Sequence, residues 1–247
     1  MWETLFQQYQ AARGLQDRAE AFARATGGLR EARKLLARSY RDHDAWVTDA
    51  LLDPDKKWFV AQVVEKNVPH RFLNPMIRAA VYERDPSLNR RFIEPCVRSF
   101  GQRQVYDSLL KYVTDGTDFE KAGAINAAYW VRDISRAMRH NPERGRMSQA
   151  ATTDPTLDDA KERFRRAMLS EFVANENVDV RRSIAAILPL DVFGYPDDLK
   201  PLVSQAIDIA RQHPDGYIRH RVGVQLADVA EPIAFEALPR RAPQAPM

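Results

Sequence analysis

The sequence predicts an all-α chain built from stacked helix pairs, and three observations carry that prediction. A unit repeats: Asn175-Glu-Asn-Val-Asp-Val-Arg-Arg-Ser-Ile is a polar corner leading into a helix. About 38 residues later the same order returns as His213-Pro-Asp-Gly-Tyr-Ile-Arg-His-Arg-Val. Apolar residues elsewhere step at three and four, the period of a helix with one buried face. The composition, with 10 Gly and 15 Pro in 247 residues and few β-branched runs, favours helices over a sheet.

Taken in order, Trp2, Leu5, Tyr9, Ala12, Leu15, Ala19 and Phe22 form a first apolar stripe. It is expected to end at Gly27-Gly28, since paired glycines are poor helix formers and good C-caps. A second stripe, Leu29, Ala32, Leu36 and Tyr40, makes residues 1–41 an N-terminal helical hairpin. Such a hairpin caps a repeat array, whose end unit would otherwise leave its apolar face in water.

Residues 42–230 read as the repeat domain. Its first pair has Ala45, Trp46, Ala50 and Leu51 on one helix and Trp58, Ala61 and Val64 on the other, with the corner Asp53-Pro54-Asp55 between them. The second pair joins Leu73, Ile77, Ala80 and Val81 to Phe92, Cys96 and Val97 through Asp85-Pro86-Ser87. Pro75 and Pro95 fall inside these helices and are expected to kink or delay them.

Gly101 separates the next helix, whose stripe is Val105, Leu109, Leu110 and Val113. Asp115-Gly116-Thr117 then turns into a long helix over 122–138. Residues 141–158 carry no apolar period and read as a long exposed loop, longer than compact domains ordinarily hold. Beyond it, Leu157-Asp158-Asp159 opens a helix with acids in the first turn and Phe164, Ala167, Met168, Phe172 and Val173 inward. The last pair carries Leu202, Ala206, Ile207 and Ala210 on its first helix. The proline-rich residues 231–247 read as a disordered tail. Corners recur at intervals of roughly 30, 30, 60 and 40 residues, the range of two-helix repeats plus one insertion.

Bulk properties exclude several functions. The net charge of +3 comes from 37 basic and 34 acidic residues, too even a balance to imply nucleic acid. The lone cysteine, Cys96, forbids an intrachain disulfide and fits a reducing compartment. Neither a secretory leader nor a membrane-length apolar run is visible, so a cytoplasmic chain without a membrane role is expected. The five histidines are scattered, and no phosphate loop, nucleophile elbow or Cys/His dyad occurs, so neither metal nor cofactor is expected.

With polar corners followed by Val/Ile-Arg-x-x-Ala/Val, the chain resembles the HEAT-repeat superfamily of α-solenoids. Val180, Arg181, Ile184 and Ala185 occupy the motif positions, and residues 213–226 follow them nearly as well. The resemblance covers residues 42–228 in architecture but only the last third in motif. It implies a superhelix of helix pairs whose second helices line a concave face that grips a protein or a nucleic acid. It also implies that the first Arg of each helix pairs with an Asp in a neighbouring corner. Arg181 and Arg219 then serve the fold, and Arg182 and Arg221 stay available to a partner.

The strongest basic concentration is Arg132, Arg136, Arg139, Arg144 and Arg146, joined by Lys161, Arg163, Arg165 and Arg166. Arg132, Arg136 and Arg139 form one stripe suited to phosphates or an acidic protein. HEAT-like alkylpurine DNA glycosylases resemble the chain in size and architecture, and they set aromatics and a carboxylate on the concave face. Trp130 and Asp133, three apart on one helix, are the pair that such a site would use. The favoured expectation is a non-catalytic scaffold or adaptor that binds another protein through Arg132–Arg146, Arg182 and Arg221. A nucleic-acid binder is the alternative.

Overall fold

The computed structural model describes residues 1–38, 41–65, 67–140 and 155–226, the side chains of residues 41–42 and 133–140 excepted. Most of the expected 141–158 loop, Tyr40 and the 231–247 tail lie outside the described residues. Among those described, the structure is helical throughout and holds no strand.

Helix α1 (Trp2–Arg13) packs on α2 (Arg18–Ala37), so the leading hairpin forms, but its turn is not at the paired glycines. Asp17 caps α2 by accepting the amides of Ala19 and Glu20 at 2.8 and 3.2 Å. The helix then runs straight through Gly27 and Gly28. A local cap outweighs the apolar period here. Each interior glycine costs about 1 kcal/mol, which the burial of Leu29, Ala32, Leu35 and Leu36 offsets. In consequence Ala19 and Phe22, expected inward, are exposed.

Helices α3 (Arg41–Ala50) and α4 (Lys57–Val63) close on the hairpin through Phe59, which is fully buried. The rings of Trp2, Phe6, Tyr9 and Trp46 surround it at centroid distances of 5.2 to 6.5 Å. Next come α5 (Leu73–Val81) and α6 (Arg90–Asp115). Pro75 falls in the first turn of α5 and leaves it unkinked, because the amide it lacks has no intrahelical partner there. In α6 the interruption comes at Gly101 (φ 79°, ψ 165°), a conformation that glycine adopts without steric cost, so the two halves of α6 belong to successive pairs.

The chain continues through α7 (Asp118–His140), α8 (Pro155–Ala174), α9 (Val178–Ile187), α10 (Lys200–Arg211) and α11 (Gly216–Gln225). Helix α8 starts at Pro155, inside the expected loop, with proline at the first helical position where its missing amide does no harm. Its N-terminal turn thus takes four residues that the apolar pattern alone leaves to the loop.

The corners form as expected, because each carries its own side-chain acceptor. Asp53 accepts from Asp55 and Lys56, Asp85 from Ser87, Asn177 from Asp179 and Val180, and Asp215 from Ile218. Thr117 and Glu120 complete a reciprocal capping box at the start of α7.

Helices pack on their neighbours in order. Beyond each pair, α6 contacts α8, α7 contacts α9, α8 contacts α10 and α9 contacts α11. Three junctions are bridged alike, by a cation early in a second helix and an acid at the end of the following first helix or in its corner. These are Lys57–Glu83 at 2.5 Å, Lys121–Glu171 at 2.7 Å and Arg182–Asp215, whose Nε lies 3.0 Å from the carboxylate. The tightest backbone approach is between α5 and α7, where a Cβ on Gly123 would stand 2.0 Å from the Val81 carbonyl oxygen.

A second device recurs. Arginines donate to carbonyls at the ends of neighbouring helices, where backbone acceptors are orphaned and the helix dipole is negative. Arg33 reaches the Gln62 and Val63 carbonyls at 2.8 and 3.2 Å, Arg98 that of Glu65 at 3.1 Å, and Arg71 that of Leu36 at 3.2 Å. Much of the chain's arginine thus serves the fold.

Candidate binding track

Two expected binding residues belong to these structural devices. Arg182 makes the inter-pair contact that the resemblance assigns to Arg181, bridging to Asp215. Arg181 instead donates to the Phe172 and Val173 carbonyls near the end of α8, at 3.1 and 3.5 Å. Arg221 donates to the Ala186 carbonyl at 3.0 Å, and its Nε is buried. Arg219 holds the His213 and Pro214 carbonyls. The α9–α11 junction therefore engages all four arginines, and Arg182 and Arg221 do not form an open partner surface. One residue of register separates the two roles, about 100° around a helix.

Burial alone would raise the Asp215 carboxyl, but the bonds from Arg182 and the Ile218 amide hold it below its ordinary value. His213, almost fully buried, is held below its ordinary value by burial and then by Arg181. Its Nδ1 accepts the Asp215 amide at 3.1 Å, which requires that nitrogen to be unprotonated.

Trp130 is half-buried, and its indole donates to the Pro86 carbonyl at 2.8 Å. That contact ties α7 to the corner before α6. The side chains of Asp133, Arg136 and Arg139, and the whole of Arg144 and Arg146, lie outside the described residues.

Arg132 is exposed and placed differently. It lies over the Tyr129 ring at 5.9 Å and reaches the Ile187 carbonyl at 3.4 Å. Beneath it, α6, α7, α8 and the end of α9 enclose a groove of about 300 Å³. Tyr106, Phe164 and Met168 form the buried floor, with the Tyr106 and Phe164 rings 5.4 Å apart. Arg132, Lys161 and Arg165 are on the lining, which includes no carboxylate. The nearest acids, Asp158 and Glu162, pair with Lys161 and Arg165 from within α8, at 3.1 and 3.3 Å. Burial pushes the Tyr106 phenol up to about 12, although Arg132 and Arg165 pull it down, so the hydroxyl keeps its proton at neutral pH.

A second cleft, of about 350 Å³, lies between α1, α4 and α6. Tyr9 and Trp58 wall it, Gln62 bonds the Tyr9 hydroxyl, and Arg13 and Arg91 extend over it. Neither arginine has an ion pair among the described residues.

Cations over rings recur beside both openings. Arg13 lies over Tyr9 at 5.9 Å, and Trp58 and Arg91 share the cleft. Next to Arg91 in sequence, Arg90 lies over Trp130 at 5.7 Å while pairing with Glu94 at 2.9 Å; Trp130 meets Tyr129 edge-on at 5.1 Å, and Tyr129 carries Arg132. This track crosses α4, α6 and α7. The apolar period of each helix gives no sign of it, because the period reports the inward face. Tyr9, Arg13, Trp58, Arg91 and Tyr106 are the members that sequence reasoning leaves out of any site.

Cys96 is buried and burial pushes its thiol pKa up, which leaves it a poor nucleophile. Among the described residues no cluster of His, Cys, Asp or Glu could hold a metal, and no helix is long and apolar enough to cross a membrane. No family model, no curated protein and no solved structure matches the chain.

Proposed function

We propose that the chain is a non-catalytic binding module, an α-solenoid of HEAT-like helix pairs that holds an acidic segment of a partner protein along the track. The repeated cation–acid junctions and the neighbour-to-neighbour packing support the solenoid reading. One observation carries the functional reading: along the track Arg13, Arg91 and Arg132 have no acidic partner among the described residues, whereas at the α9–α11 junction the arginines are engaged by carbonyls or by Asp215. Tyr, Trp and Arg are also the residues that dominate protein interfaces energetically. In this reading the protein works as an adaptor or assembly factor in the cytoplasm, where Cys96 stays reduced.

A nucleic acid is the less well supported partner. Single-strand binders offer open ring faces for base stacking, but here Lys57, Arg90 and Arg132 lie over Trp58, Trp130 and Tyr129. The glycosylase-like reading loses support in the same way, since the Trp130 indole is bonded to Pro86.

The test is fluorescence polarisation with a labelled Glu- and Tyr-containing peptide, against a single-stranded oligonucleotide of equal charge. The peptide is expected to bind more tightly, and Arg91→Glu with Arg132→Glu to weaken it at least about tenfold. Tighter oligonucleotide binding with a steep salt dependence would reverse the assignment.

A further inference from the structure

We infer that the groove between α6, α7 and α8 binds a phosphomonoester on an aromatic ring, supplied by a phosphorylated side chain of the acidic segment. The inference rests on the partner-binding reading of the track and adds the chemistry recognised at one end of it.

The polar groups that line the groove are overwhelmingly donors. Arg132, Lys161 and Arg165 have no acceptor atoms, and the Tyr106 hydroxyl is available as a donor. Among the lining side chains only Gln102 brings a carbonyl oxygen. A ligand here must therefore be rich in acceptors and anionic. Tyr106 sharpens this: the residue is mostly buried yet lines the groove, with Arg132 and Arg165 near enough to act on its hydroxyl. Its hydroxyl can donate to an oxygen delivered between the two guanidiniums.

Charge and shape favour a phosphate over a carboxylate. A phosphomonoester brings about −1.5 to −2 charges and three acceptor oxygens, against one charge and two oxygens for a carboxylate. Three cations converge here. Asp158 offsets one of them through an exposed pair that exchanges readily for a stronger anion, and Glu162 offsets another through a part-buried pair within the same helix. The remainder of the lining is apolar, with Phe164, Met168, Ile187 and Pro189, and suits a ring rather than a second charge. A volume of about 300 Å³ sits at the lower limit of small-ligand sites, enough for one ring and its phosphate.

The experiment is calorimetric titration of the full chain with phenyl phosphate, beside phenyl sulfate, inorganic phosphate and adenosine monophosphate. Phenyl phosphate is expected to bind at least about fivefold more tightly than either phenyl sulfate or inorganic phosphate. Its affinity should fall as pH drops below about 6, where the dianion takes up a proton. Tyr106→Phe keeps the ring packed on Phe164 and should weaken binding about fivefold; Arg132→Gln, on the surface, should weaken it further. Equal affinity for phenyl sulfate, or no loss with Tyr106→Phe, would overturn the inference. Equal affinity for inorganic phosphate would remove the ring from it. Adenosine monophosphate binding about tenfold more tightly would reassign the groove to a nucleotide. If the unphosphorylated acidic peptide binds the track while phenyl phosphate does not bind, the phosphate inference alone falls. If neither binds, the track reading falls with it.

Discussion

The α9–α11 junction and the track across α4, α6 and α7 use the same side chain for opposite ends. At the junction Arg181, Arg182, Arg219 and Arg221 lie against carbonyls or a carboxylate, half-buried for the most part. On the track Arg13, Arg90 and Arg132 lie over rings, exposed, and Arg91 projects into a cleft. A guanidinium has five donors and no acceptor, so the fold decides its role by what it offers opposite. Where orphaned helix-end carbonyls are close, the arginine is part of the scaffold. On the track Arg132 meets one such carbonyl, that of Ile187, and Arg90 pairs with Glu94, so the charges without an acid among the described residues are those of Arg13, Arg91 and Arg132.

The comparison can be broken in either region. The largest effect is expected from Gly123→Ala, which touches neither set of arginines: its Cβ would enter the Val81 carbonyl, and chemical denaturation should show a loss of about 3 kcal/mol. A smaller loss would mean that α5 and α7 can part. Asp215→Ala removes both the α11 cap and the partner of Arg182, and should cost about 2 kcal/mol. On the track, Arg91→Glu with Arg132→Glu should change stability by no more than about 0.5 kcal/mol while weakening peptide binding. A large stability loss there would erase the distinction between the two regions.

The smallest effect is the pH response of His213. Its folded pKa lies below the ordinary 6.5, so the unfolded chain takes up the proton first. The contribution is fully present above that ordinary value and is lost as pH falls through it toward the folded pKa. Arg181, Arg182 and Arg219 disfavour the charged ring and Asp215 favours it. Unfolding midpoints from pH 7.5 to 5 should therefore fall less in His213→Gln than in the wild type.

How far these features were legible in the sequence follows from how local their causes are. The corners at Asp53, Asp85, Asp115, Asn175 and His213 were readable, because their turns are closed by side chains two or three residues away. The hairpin turn was misplaced because Asp17 and the Gly27-Gly28 pair are both local stop signals, and only packing of α1 on α2 decides between them. Arg182 rather than Arg181 meets the acid for a related reason: adjacent residues on one helix point in different directions, and the neighbouring helix selects which finds a carboxylate and which finds carbonyls. The track was the least legible. Tyr9, Trp58 and Trp130 are far apart in sequence, and each alone reads as a core aromatic.

Helix α6 carries residues of both openings: Arg91 before its break and Gln102 with Tyr106 after it. Gly101 is thus a joint between two grips, and its torsion angles set their spacing. A ligand held at both ends gains avidity only if its length matches that spacing. Any residue with a side chain would resist the positive φ at this joint, so a substitution there would change reach before it changed either contact surface. The single glycine acts as the ruler of the molecule.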